Sequence, residues 1–324
     1  MFEIDIDISA SKLEQFLQEK FWIDPSSESI ERIEKAGEGN MNVVLRVHSN
    51  LRSFILKQSR PFVNKYPQVA APIGRIDVEF QFLKSMRDKE LLKSLPRIYY
   101  YDKQHHLLMM EDLGHGEDMI AMYNERSIAD DEVDYLIDLL HRIHLTPADK
   151  SYPENAGLRR LNHQHVFHLP FAEDNGFDLD SIQQGLQSAS EDFKKDEHIL
   201  KVAKDLGEKY LGEGQVLLHG DYYPGSWLRS HNKIYIIDAE FSFRGFVEYD
   251  LGVMAAHLFM TDQDPLWVDK VTGKYPGSID EGIMRKMAGV EVVRRLIGLA
   301  QLPMERSLGE KIEMLEWARR MMVS

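Results

Sequence analysis

The stretch Leu218-His219-Gly220-Asp221-Tyr222-Tyr223-Pro224-Gly225-Ser226-Trp227, followed closely by Ile236-Ile237-Asp238-Ala239-Glu240-Phe241, decides how this chain is read. Each half begins as a short apolar run and ends in acidic residues. Apolar runs of this length read as buried strands, and each one delivers its carboxylates into a loop. Asp238 follows Asp221 so closely that a hairpin is expected to bring the two acidic groups together.

Carboxylates in such loops suit phosphoryl transfer. One can orient an attacking hydroxyl, and others can hold Mg²⁺ against phosphates. Magnesium takes few carboxylates and fills its shell with water and phosphate oxygens. Asp238 and Glu240, with the Ser226 hydroxyl, offer such a set. His-Gly-Asp alone would be a weak signal, because short motifs recur by chance. The joint pattern is stronger: His-x-Asp, a hydroxyl five residues on, Asp-x-Glu after the next strand, and Asp250 opening the following helix.

Upstream, residues 42–47 and 53–58 are β-branched or apolar around His48-Ser49-Asn50, a hairpin pattern. Ile76, Phe80 and Leu83 recur at helical spacing with Glu79 among them, and residues 98–101 and 107–110 read as two more strands. Ser11-Lys12-Leu13-Glu14 has the form of a capping box opening a short helix. After Glu111-Asp112-Leu113-Gly114 the chain turns mostly helical. Val133, Leu136, Leu140 and Ile143 mark one amphipathic helix, Ile283, Met287, Val290 and Leu296 another, and residues 308–321 a last one. Two lobes are expected, 1–112 and 113–324, with a ligand cleft between them.

The 324 residues are 43% hydrophobic and 28% charged, an ordinary globular composition in a chain longer than one core usually fills. The absence of cysteine removes disulfides, thiol nucleophiles and thiolate metal sites, and suits a reducing, cytoplasmic location. The start, MFEIDIDISASKLEQF, has no basic leader region, and no run of about 18 apolar residues occurs, so no membrane association is expected. A net charge of −14 argues against nucleic acid as a partner. A local pocket can still oppose that sign and take an anion.

The 218–227 stretch resembles the catalytic loop of the protein-kinase-like fold, in its aminoglycoside phosphotransferase and choline kinase branch. The kinase pattern H-R-D-x-x-x-x-N is matched by His219, Gly220, Asp221 and, in place of Asn, Ser226. Asp238 matches the metal-binding Asp of D-F-G, with Glu240 where the glycine would stand, so protein-kinase activity is not expected. Within the branch the motifs are most similar to methylthioribose kinase: His219 to Ser226, Asp238 to Gly245, Gly39-Asn40-Met41-Asn42, Ile55-Leu56-Lys57-Gln58, and Arg294-Arg295-Leu296-Ile297-Gly298.

The resemblance implies an α+β, bilobal fold with a small β-rich nucleotide-binding lobe and a larger, mainly helical lobe holding the acceptor. It implies ATP and Mg²⁺ as cofactors and Asp221 as catalytic base. Ser226, Asp238 and Glu240 would hold the metal. Lys57, positioned by Glu79, would grip the phosphates under a loop formed by Gly37, Gly39, Asn40 and Asn42. Backbone groups of Glu111 and Leu113 would meet adenine, and Arg294 and Arg295 the acceptor. That acceptor is a small molecule bearing a hydroxyl, with methylthioribose first. An aminoglycoside-like or choline-like alcohol stays open, as do a non-catalytic nucleotide-binding scaffold and a homodimer. His141-x-x-His144 and His163, His165 and His168 have metal-like spacings, but packed or solvated histidines are commoner on such segments.

Overall fold

The computed structural model describes residues 1–37 and 41–324 and divides into two units, Met1–Gly116 with Ser230–Phe241, and Glu117–Arg229 with Ser242–Ser324. In the first unit, alternating apolar residues build a five-stranded antiparallel sheet. Its strands are β1 (Ile30–Lys35), β2 (Val43–Ser49), β3 (Ser53–Gln58), β4 (Ile98–Asp102) and β5 (Leu107–Glu111), in the order β1-β2-β3-β5-β4. Side chains of a strand alternate between faces, so β3 divides its residues. Phe54 and Leu56 join Leu45, Val47, Leu107 and Met109 on one face, under Leu13, Phe16 and Leu17 of helix α1 (Ala10–Glu19). Each such buried side chain contributes about 1.5–3 kcal/mol. Ile55 turns to the other face, with Leu108 and Met110, where Ile76 and Phe80 of helix α2 (Arg75–Ser85) pack.

Helix α1 starts two residues before the expected capping box. Ser9 is the N-cap and accepts from the Lys12 amide, whereas Glu14 reaches out of the helix to accept from the Ile30 amide at 2.7 Å. A tertiary partner thus takes the carboxylate that local pattern had assigned to the cap.

The second unit is mainly helical. Its core helix α6 (Val247–Asp262) is buried from Glu248 to Thr261. Helices α3 (Asp130–His144), α4 (Ala156–His163), α5 (Glu197–Leu211), α7 (Glu281–Ile297) and α8 (Leu308–Val323) belong to the same unit. Two glycines let α7 sit close on both sides. A Cβ on Gly252 of α6 would fall 2.6 Å from the Met287 Cβ, and one on Gly289 of α7 would fall 2.7 Å from the Ala318 carbonyl of α8. Close packing at these two points fixes the roll of α7 and so the direction of its charged last turn.

The acidic strands do not pair as expected. Strand β6 (Val216–Leu218) pairs antiparallel with β7 (Phe243–Gly245), Leu218 opposite Phe243, while the strand Lys233–Ile236 belongs to the first unit. Closeness in sequence misled here, because the chain passes out of the second unit after Arg229 and re-enters at Ser242. The stretch that carries His163, His165 and His168 is helical: α4 runs on through a wide turn at Gln164–His168 and a tight one at Leu169–Phe171.

Candidate active site

Lys57 shares the face of β3 that carries Ile55, lying opposite Leu108 and Val44 across the neighbouring strands. Glu79 follows Ile76 by three residues on α2, so the packing that buries Ile76 also turns Glu79 toward that sheet face. The Lys57 Nζ lies 2.6 Å from Glu79 Oε2 and 2.5 Å from Asp238 Oδ1, with Lys57 and Glu79 both buried. Burial alone would favour loss of the Lys57 proton. The charges of Asp238, Glu79 and Glu240 reverse that and hold the amine as ammonium. Burial in turn pushes the Glu79 carboxyl up, against the pull of Lys57.

Asp238 takes φ +62°, the left-handed region that costs a non-glycine residue roughly 1–3 kcal/mol and clusters at functional sites. Its side chain stays 50% exposed, so one carboxylate both binds the buried lysine and faces outward. Glu240, expected beside it as a metal ligand, is instead buried. Its Oε2 accepts from Asn42 Nδ2 at 2.9 Å and lies 3.2 Å from Arg75 Nε. The Asn42 side chain, expected at a phosphate, is therefore bound to Glu240 and, through Oδ1, to Arg75. The physical reason is Arg75, whose fully buried guanidinium needs acceptors on every side and also takes the carbonyls of Met41, Arg60, Phe62 and Pro72.

Gly37 sits at φ +83°, a conformation that suits glycine. Gly39 and Asn40 lie outside the described residues. Glu111 ends β5 with its carboxylate on Arg97, and its amide donates to the Arg97 carbonyl. The Leu113 carbonyl accepts from the Ser230 hydroxyl. These bonds take the Glu111 amide and the Leu113 carbonyl.

In the second unit the loop after β6 is pinned from α6. Asp250 accepts from the amides of His219 at 2.7 Å and Gly220 at 3.0 Å, and His144 Nε2 stands 3.3 Å from the same carboxylate. Gly220 turns at φ +85° and presents Asp221. The Ser226 hydroxyl donates to the Asp221 carbonyl at 2.9 Å, tightening the loop on itself. Burial raises the Asp221 carboxyl, and Arg295 and Arg294 oppose that shift.

Both arginines of the last turn of α7 are buried. Arg295 Nη2 lies 3.8 Å from Asp221 Oδ1, with its guanidinium over the Tyr223 ring at 4.7 Å. Both arginines, expected at the acceptor, converge on Glu291. Arg295 Nε donates to Glu291 Oε1 at 2.7 Å and Arg294 Nη1 to Oε2 at 3.0 Å. His257 of α6 completes the set, its Nε2 3.0 Å from Glu291 and its Nδ1 2.6 Å from the Tyr123 hydroxyl. Burial pushes the His257 imidazole down to about 4. Burial would raise Glu291, but Arg294 and Arg295, with the hydrogen bond from His257, hold it well below the usual carboxylate range.

Arg75, Glu291, His257 and Tyr123 escaped the sequence reading. Arg75 had a signal: a cation in the first turn of a helix opposes the helix dipole and asks for an explanation. Glu291-x-x-Arg294-Arg295 had one too, since i, i+3 and i+4 share a helix face. His257 and Tyr123 had none. Among the described residues no cluster of three or more His, Cys, Asp or Glu forms a metal site by itself, and no helix is long and apolar enough to cross a membrane.

A β-sheet unit with a buried Lys–Glu pair and a helical unit with a pinned His-x-Asp loop are the parts of a kinase-like fold. The sequence profile of the Phosphotransferase enzyme family, APH, matches residues 32–285, and the chain belongs to that family. It is similar to the methylthioribose kinase of Exiguobacterium sibiricum, 25% identical over 321 residues that cover 82% of this chain and 79% of that one. It is similar also to that of a Geobacillus species, 26% identical over 335 residues covering 87% and 82%. Among solved structures, LicA in complex with AMP superposes with TM-score 0.54 at 14% identity, covering 96% of this chain and 98% of that one. The spectinomycin phosphotransferase APH(9)-Ia, in complex with ADP and spectinomycin, gives 0.52 at 14% identity, covering 98% of each chain. These structures share the fold. The chain is a phosphotransferase acting on an alcohol group, a kinase.

Proposed function

We propose that this enzyme moves the γ-phosphoryl group of ATP onto a hydroxyl of methylthioribose or a closely similar sugar, with Mg²⁺, in the cytoplasm. The observation that carries the chemistry is Asp221, on a loop pinned by Asp250 and 3.8 Å from the Arg295 guanidinium. There Asp221 orients the acceptor hydroxyl and takes its proton, while Arg295 offsets negative charge gathering on the transferred group. Lys57, fixed by Glu79, binds the nucleotide phosphates, and the turn at Gly37 lies beside them. Glu111 and Leu113 flank the adenine.

The donors suit magnesium. Asp238 offers a half-exposed hard oxygen, and a metal that completes its shell from phosphate and water needs no larger protein cluster. When bound, magnesium supplies positive charge against the phosphate oxygens. Glu240, engaged by Asn42 and Arg75, braces the turn that carries Asp238.

The substrate rests on the methylthioribose kinases among the relatives. The test is ADP release from ATP across methylthioribose, ribose, choline and aminoglycosides, with and without a magnesium chelator. Turnover selective for methylthioribose and lost on chelation supports the reading. Turnover with a cationic acceptor instead replaces the substrate. Nucleotide binding without turnover on any acceptor favours a scaffold.

A further inference from the structure

Three wholly buried side chains, Tyr123, His257 and Glu291, have no direct part in the transfer described above, yet they form one continuous set beneath Arg295. Glu291 Oε1 lies within hydrogen-bond distance of Arg295 Nε at 2.7 Å, His257 Nε2 at 3.0 Å and Arg294 Nη1 at 3.2 Å. An ionised carboxylate only accepts hydrogen bonds, so His257 donates from Nε2. Its Nδ1 then accepts from the Tyr123 hydroxyl. Tyr123 donates to His257 and His257 to Glu291, while Arg295 donates to the same carboxylate from the other end, so the series converges on Glu291.

The charges give the series a direction. Two guanidinium groups against one carboxylate leave one positive charge, and the Arg295 Nη2 end of it lies 3.8 Å from Asp221. Arginine is long and loses much rotamer freedom when fixed, so a lone Arg295 would sample several positions near Asp221. Glu291 seizes its Nε and the Tyr223 ring covers its face, which leaves the Nη2 edge turned toward Asp221. An ion pair serving stability alone would need only Glu291 and the arginines. The added imidazole and phenol fix which way the carboxylate itself is turned.

Resting on the kinase reading above, we infer that Glu291 is a positioning residue for phosphoryl transfer, locked by His257 and Tyr123 so that Arg295 is held beside Asp221 before substrate binds. Its work is preorganisation, and its loss is expected in kcat with the nucleotide KM little changed.

Three variants test this: His257→Leu, which removes the donor to Glu291; His257→Gln, whose amide can replace it; and Glu291→Gln. His257→Leu is expected to lower kcat about 10- to 100-fold with the ATP KM within about threefold. His257→Gln is expected to recover kcat to within about threefold of the parent. Glu291→Gln should fall at least as far as His257→Leu. Crystal structures of the variants give a second readout that needs no acceptor, with Arg295 Nη2 expected to leave Asp221 in His257→Leu and Glu291→Gln and to stay in His257→Gln. Unchanged kcat in His257→Leu, an equal loss in His257→Leu and His257→Gln, or Arg295 still beside Asp221 in Glu291→Gln overturns the inference. Should the unmodified enzyme phosphorylate no acceptor, the kinase reading falls, and the position of Arg295 in the crystals decides this one separately.

Discussion

Arg75 Nε lies 3.2 Å from Glu240 Oε2, so a fully buried guanidinium at the start of α2 anchors the second acid of Asp238-Ala239-Glu240. The same group gathers Asn42 and four backbone carbonyls, which makes it the knot of the first unit. Arg75→Met would leave Glu240 buried without its cation, a change that costs about 3–5 kcal/mol. Arg75→Lys keeps the charge but has fewer donors in a less suitable geometry, and is expected to cost about 1–3 kcal/mol. Urea unfolding of both variants measures this. A loss below about 1 kcal/mol in Arg75→Met would mean the unit does not depend on the knot.

Lys57→Met removes the ammonium on which Glu79 and Asp238 converge. A charge-assisted contact to phosphate is worth about 1.5–3 kcal/mol, so ATP affinity is expected to fall about 10- to 100-fold. Calorimetric titration with ATP reads this directly, with circular dichroism confirming that the fold is kept. Unaltered affinity would remove Lys57 from the nucleotide site.

Asp221→Asn keeps the shape of the side chain and removes its capacity to take a proton. Base assistance contributes about 10²–10⁴-fold in rate, and kcat is expected to fall by that factor while the ATP KM stays within about threefold. Steady-state ADP release checks both. A variant retaining parental kcat would assign the proton elsewhere.

Local pattern carried the elements that make their own case. Apolar runs in 53–58 and 107–110 placed the central strands, and Ile76, Phe80 and Leu83 placed α2 and with it Glu79. Lys57, Asp221 and Asp238 could be singled out as candidates because their motifs have short, recognisable spacings. What stayed hidden depends on contacts far apart in sequence. β6 pairs with β7 rather than with the intervening strand because the chain leaves its unit and returns, which no window of residues records. Arg75 meets Glu240, and His257 meets Glu291, through tertiary packing alone. The arginine pair was seen, but its shared partner three and four residues earlier was not, because charged i, i+4 pairs are usually surface features.

The His257 imidazole gives the fold an acid-sensitive point. Its ordinary value of 6.5 is pushed down to about 4, first by burial. Between those values the unfolded chain takes up a proton that the folded one refuses, so folded stability falls as pH drops through that window. A tenfold difference in proton affinity between the two states is worth about 1.4 kcal/mol, which makes the loss about 3 kcal/mol between neutrality and pH near 4. Carboxylates add their own acid loss, and His257→Gln isolates the histidine because glutamine does not titrate. Urea unfolding at about pH 7 and about pH 4.5 is expected to show the parent losing about 2–3 kcal/mol more than His257→Gln. Equal losses would mean that the folded protein binds the proton readily. His257 would then be an imidazolium beside Glu291, and the Tyr123 hydroxyl would have to accept from it rather than donate.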